Sequence, residues 1–184
     1  PDVSIKPRKY SNVLRSLVIN NHIFDFATKY RSKHPQIAGA RDFVFTETDY
    51  NDFITFLQDK SYEYKTESEK LLDKFKVIAE KEHYFADLSV EFDALYAKKK
   101  ATKSNDLQKF KAEIIEFITE EIVSRYYYQQ GRIEASFATD PELKEAISIL
   151  KDGARYNTIL SEGYEIKLID YEAEATEEEM VVEE

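Results

Sequence analysis

The chain has 184 residues, 42% of them hydrophobic, and a net charge of −10; this suits one domain or a compact pair of subdomains and argues against a nucleic-acid binder, since neutralising phosphates needs a clustered basic surface. Counts of Gly 4 and Pro 4 are too low for the turns of a β-rich fold, so composition favours an all-α fold. Cys is absent, which excludes disulfides and thiolate metal sites, and no apolar run approaches the ~20 residues of a membrane span.

Residues 1–9 read as extended, because Pro1 and Pro7 bracket the alternating pair Val3 and Ile5, as in a strand leaving another domain. The first residue is Pro, which fits a start inside a longer protein, and no signal-peptide pattern follows it. Ser11 is a plausible N-cap for a helix running to about Tyr30, with Leu14, Leu17, Val18, Ile23, Phe24 and Ala27 on its apolar face. A loop through His34, Pro35 and Gly39 leads to a second helix capped by Thr46 or Thr48, carrying Tyr50, Phe53, Ile54 and Leu57. Thr66 starts a third helix with Leu71, Leu72, Phe75, Ile78 and Ala79 on one side. A fourth is expected over 84–99, through Phe85, Leu88, Phe92 and Leu95, and Lys98 to Lys100 suit its negative C-terminal dipole.

The fifth and longest helix is expected near 105–138. One stripe on it reads Ile115, Ile122, Tyr126, Ile133, Phe137, a sustained core seam. Gly131 inside it costs ~1 kcal/mol against Ala and marks a kink or a close helix contact. Asp140 and Pro141 then supply an N-cap and a first turn for a sixth helix bearing Leu143, Ala146, Ile147 and Leu150, with Gly153 as its stop. Residues 164–169 alternate weakly, as a short strand would. Residues 171–184 hold seven Glu and no Lys or Arg, a composition of disorder. The fold class expected is therefore an all-α, irregular bundle of about five to six helices with short extended segments at the N-terminus and at 164–169.

Catalytic constellations are hard to find. His22, His34 and His83 stand alone, which reads as ordinary surface or helix-end histidines rather than a zinc site. Glu113, Glu116, Glu120 and Glu121 read as a solvated helix face. A di-metal bundle would need two Glu-x-x-His patterns, and only Glu80 with His83 offers one. There is no GxSxG elbow and no Gly-rich phosphate loop, so no cofactor and no metal are expected. The stretch that stands out is 120–134. A second stripe on the long helix runs Leu107, Phe110, Ile114, Phe117, Glu121, Arg125, Tyr128, Arg132, turning from apolar to charged and aromatic. It suits an ion-pair network, buried or at an interface, or a solvent-exposed helix end with packed tyrosines. Because interfaces favour Tyr and Arg, Glu121, Arg125, Tyr126, Tyr127, Tyr128, Arg132 and Glu134 are the candidate contact residues.

The run EEIVSRYYYQQGRIEASFATDPELKEAISIL, residues 120–150, resembles the C-terminal helical region of carboxyl-terminal processing (tail-specific) proteases of the Bacteroidetes type. SLVINNHIFDFATKYRSKHP, residues 16–35, is similar to the segment after the protease core of those proteins, and DYNDFITFLQDKSYEYKTESEK, residues 49–70, to the helix pair that follows. The opening PDV resembles the end of the core's last motif, Gly-Ile-x-Pro-Asp and a β-branched residue. The resemblance covers about 1–160 and implies a parent with a PDZ-like domain, a core with a Ser nucleophile and Lys base, and helical extensions. None of the catalytic motif is in this chain, so no catalytic residue is carried over. It also implies a division into 1–10 as the extended end of the core, 11–160 as a helical accessory domain, and 161–184 as a short strand and acidic tail. Partners would be the protease core and PDZ-like domain of the same polypeptide, the parent's protein substrates, and a second copy in a homo-oligomer. The site of action would be the cell envelope or periplasm. The alternative from the helices alone is a freestanding helical scaffold or adaptor.

Overall fold

The structure, a computed structural model, describes residues 2–161 and 168–169. In chain order its elements are β1 (Ser4–Ile5), α1 (Asn12–Ile19), α2 (His22–Lys33), α3 (Glu47–Leu57), α4 (Glu67–Lys81), α5 (Phe85–Lys103), α6 (Asp106–Lys109), α7 (Lys111–Ser136), α8 (Pro141–Lys151), α9 (Gly153–Ile159) and β2 (Leu168–Ile169). The all-α bundle expected from composition is what the chain forms. Among the described residues the sheet is one parallel pair, Ser4 opposite Leu168 and Ile5 opposite Ile169. The rest of the strand expected at 164–169, and the acidic tail with its expected disorder, lie outside the described residues.

Helix starts follow local chemistry. Ser11 accepts a hydrogen bond from the Leu14 N–H, and Asp140 accepts one from the Leu143 N–H with Pro141 in the first turn. Thr46 and Thr66 form full capping boxes with Asp49 and Glu69.

Helix ends depart from expectation at three places. The single helix expected from Ser11 to Tyr30 is two, α1 and α2. Asn21 sits between them at φ 59, a left-handed conformation that asparagine tolerates. The helix expected near 105–138 is also divided, into α6 and α7 at Phe110 (φ −105, ψ 24); α8 does stop just before Gly153, at Lys151, and the Asp152 carboxylate, capping the Arg155 N–H, starts the short α9 there. The third departure is in α7. Its kink lies at Tyr128 (φ 58, ψ −155) rather than at Gly131. In a straight helix residues 121 and 132 would be about 16 Å apart along the axis, yet Arg132 reaches Glu121 at 3.0 Å. The chain therefore turns back at Tyr128, and Gly131 makes the close approach. A Cβ there would fall 2.2 Å from Cβ of Tyr127 and 3.2 Å from Cγ1 of Val123. Tyr128 holds a backbone region that is nearly glycine's alone, at a cost of roughly 1–3 kcal/mol.

The core is built by α1, α2, α3 and the first arm of α7. Val13, Leu14, Leu17, Ile23, Phe26, Tyr50, Phe53 and Leu57 meet Ile114, Ile118 and Ile122. Phe26 is its aromatic hub, edge-on to Phe53 at 5.0 Å and to Phe45 at 6.1 Å. The seam expected at Ile115, Ile122, Tyr126, Ile133 and Phe137 is thus displaced. The fully buried positions are Ile114, Ile118, Ile122 and Val123. Ile133 and Phe137 are half-exposed because the turn at Tyr128 breaks the helical phase.

Two hairpins lie outside this core. In α4–α5, Phe92 is buried among Phe75, Phe85 and Tyr96. The hairpin leaves Leu71 65%, Val90 76% and Leu95 53% exposed. In α8–α9, Arg155 pairs with the buried Glu145, while Leu150 and Leu160 remain exposed.

Candidate interaction surface

The residues singled out on 121–134 are anchored by α7, whose buried isoleucines fix its rotation against α2. That rotation sets Glu121 and Arg125 one turn apart, facing α2. Arg125 donates to Glu121 at 2.7 Å, to the Phe24 carbonyl at 3.1 Å and to the Thr28 hydroxyl at 3.3 Å. Its guanidinium also lies 4.3 Å from the centre of the Phe24 ring. The turn at Tyr128 then brings Arg132 back to the other Glu121 oxygen at 3.0 Å and to Glu120 at 3.5 Å. Glu121 and Arg125 are each only 16% exposed. Burial pushes the Glu120 carboxyl above the ordinary carboxylate range, with nearby Arg132 opposing and Glu116 adding to the rise.

The tyrosines behave differently from one another. Tyr126 donates to the His34 carbonyl at 2.5 Å, with Arg31 stacked 4.2 Å over its ring. Tyr127 donates to the carbonyls of Ile37 and Ala38 at 3.2 and 3.1 Å. Both tie α7 to the loop after α2. Tyr128 points outward, 81% exposed. Glu134 accepts from Gln130 at 3.0 Å and pairs with Arg41 at 3.4 Å. The structure thus draws Glu121, Arg125 and Arg132 into one internal network, sends Tyr126, Tyr127 and Glu134 to neighbouring segments, and leaves Tyr128 facing solvent.

Several participants carried no signal in the sequence. Glu116 is not part of a solvated face. It takes two parallel hydrogen bonds of 2.9 Å from Arg8, and Glu113 accepts from the Ser11 N–H at 3.3 Å. The bidentate pair with Glu116 raises the Arg8 pKa against the opposing effect of burial. Tyr10 packs edge-on to Phe117 at 5.1 Å. The segment leaving β1 is thereby fastened along α7. His22 is buried rather than at the surface, with Nε2 2.8 Å from the Ser61 carbonyl. Ser16 donates to the Tyr62 carbonyl at 2.8 Å. These contacts hold the extended stretch 60–65 along one wall of an open cleft of about 990 Å³, bounded on its other side by the end of α5 and by α6. There Tyr64 donates to Asp106, and Lys103 donates to the Tyr64 carbonyl and lies 3.4 Å from Glu69. Burial, then Asp106, raises the Tyr64 phenol, so it stays protonated and serves as a donor.

Among the described residues no group of three or more His, Asp or Glu is arranged to hold a metal ion, and Glu80 and His83 do not form part of one. Among the described residues no helix is long and apolar enough to cross a membrane.

Comparison with known proteins adds the family. The family described as "Probable PDZ-protease, C-terminal helical domain" matches residues 13–150. A search of curated proteins and one of solved structures found no match. The match runs from the first core residue of α1 to the end of α8 and takes in the α2–α7 network, so this chain belongs to the C-terminal helical domain family of the PDZ-proteases.

Proposed function

We propose that the chain is the non-catalytic C-terminal accessory domain of a carboxyl-terminal processing serine endopeptidase, working in the cell envelope. It packs on the protease core and PDZ-like domain of the same polypeptide and shapes the access of protein substrates to a Ser-Lys dyad carried by the core. The observation that supports this reading is the apolar exposure of the α4–α5 hairpin. Leu71, Phe75 and Ile78 on α4 and Leu88 and Leu95 on α5 are 39–65% exposed. An apolar face of that extent on a chain from a protease family marks a contact surface. Of the residues on 121–134, Tyr128 is the one we assign to direct contact. The others act at one remove, by fixing α7 against α2 and the loop at 34–41.

The reading is tested with the full-length parent acting on a protein substrate with an unstructured C-terminus. Leu71→Glu with Leu95→Glu is expected to change the rate or the substrate preference while the domain stays folded. The isolated chain is expected to cleave nothing. Proteolysis by the isolated chain, or a parent protein without a protease core, overturns the reading.

A further inference from the structure

α7 turns back on itself at a residue poorly suited to the turn. Tyr128 has φ 58 and ψ −155, where side-chain-bearing residues are strained. Its side chain is 81% exposed, so packing of its own ring does not hold the turn in place. The flanking residues are helical on both sides, and the sequence around the turn, Arg125 to Arg132, contains no proline.

The turn is held by contacts between its two arms. Arg132 reaches Glu120 and Glu121, and Arg41 reaches Glu134 and lies 5.4 Å from the Phe137 ring centre. Each joins a residue after Tyr128 to a residue at or before Tyr127. Each can be made just as well when the second arm comes from another molecule.

We propose that Tyr128 is a domain-swapping hinge: two copies of this chain exchange the chain that follows Tyr128, α8, α9 and β2 included, and α7 becomes one continuous helix in each. On exchange Tyr128 passes into the ordinary helical region and its strain is released. The arm-to-arm contacts are re-formed between molecules, so the surface that receives the second arm is complementary to the partner by construction. Association costs entropy, which keeps the closed monomer favoured when dilute and the exchanged dimer favoured when concentrated. This inference does not depend on the protease reading.

Two substitutions push the hinge in opposite directions. Tyr128→Gly fits the closed turn without strain and weakens a continuous helix, so both effects favour the monomer. Gly131→Ala does the reverse. Its Cβ meets Tyr127 Cβ at 2.2 Å in the closed form, whereas Cβ atoms four apart on a continuous helix are about 5–6 Å apart. The 184-residue chain and both variants are unfolded, refolded at high concentration, and measured by light scattering after size exclusion. The expected result is a dimer in the unsubstituted chain, an association constant lowered at least roughly tenfold in Tyr128→Gly, the scale of one strained residue released, and a predominant dimer in Gly131→Ala. A folded, monomeric Gly131→Ala overturns the proposal. Should Gly131→Ala fail to fold, the other pair decides: dimerisation of the unsubstituted chain that Tyr128→Gly leaves unchanged, or no dimerisation at all, overturns it equally.

Discussion

Replacing Glu121 by alanine removes the carboxylate that two arginines share. Its two oxygens accept from Arg125 at 2.7 Å and from Arg132 at 3.0 Å. The two bonds are not equal. Arg125 is 16% exposed, so its bond is made in a partly desolvated site, where a hydrogen bond to a charged group contributes about 1.5–3 kcal/mol. Arg132 is 40% exposed and rehydrates when its partner is lost, so that half contributes about 0–1 kcal/mol. Arg125 also keeps the Phe24 carbonyl and the Thr28 hydroxyl, so it is not left as an isolated buried charge. The loss should total about 1.5–4 kcal/mol, a fall in Tm of roughly 3–16 °C for a chain of this size. Urea unfolding of the Glu121→Ala, Arg125→Ala and double variants measures both the loss and the coupling. Glu67→Ala is the control, since Glu67 is 82% exposed in its pair with Lys70. A loss for Glu121→Ala no greater than the control's, or a coupling below about 0.5 kcal/mol, would refute the claim that this network fastens α7 to α2.

The neighbouring acid should behave in the opposite way. Glu120 titrates above the ordinary carboxylate range because burial disfavours its charge. The folded state then holds that proton more tightly than the unfolded chain, so this group favours folding at low pH and loses that contribution as pH rises through its raised value. Glu120→Gln is expected to be neutral or stabilising by up to about 1 kcal/mol at pH 7, with an advantage that shrinks on acidification. Glu69 has the reverse sign. Burial pushes it up, but the Thr66 N–H and hydroxyl and Lys103 together outweigh that and lower it. Its stabilisation is complete above the unfolded carboxylate range and is lost as pH falls through the lowered value. Thr66→Ala should cost about 1 kcal/mol at pH 7 and flatten the acid side of a stability–pH curve. In the core, Ile118→Ala should cost about 2–5 kcal/mol, whereas Ile133→Ala, at a half-exposed position, should cost well under half of that by thermal unfolding.

The parts of this fold that were legible in the sequence are those decided locally. Ser11, Thr66 and Asp140 announce helix starts because a cap is made within three residues of itself. The break at Asn20 and Asn21 was masked by apolar spacing that runs smoothly from Leu14 to Ala27, although paired asparagines are the residues that accept such a turn. At Gly131 the signal was present and its meaning shifted. The glycine is needed for a close approach, and the bend that creates the approach falls on Tyr128, where nothing local announces it. That bend also explains the misplaced seam, since a periodic stripe carried across it counts two arms as one. The charged stretch 121–134 stands out in the sequence with an ion-pair network and a solvent-exposed helix end both open, and Glu121, Arg125 and Arg132 form a network while Tyr128 faces solvent. Which of its members turn inward was set by α2 and the loop at 34–41, elements about ninety or more residues away in sequence.

On the proposed reading, the exposed apolar side chains of α4–α5 are covered in the parent protease. Hydrogen exchange of this chain alone, set against the same residues within the full-length protein, tests it most directly. Amides in α4 and α5 are expected to gain protection in the full-length protein, by roughly tenfold or more as local opening is suppressed, while those around Ile114 and Ile118 change little. Exchange in α4 and α5 that is the same in both would contradict it.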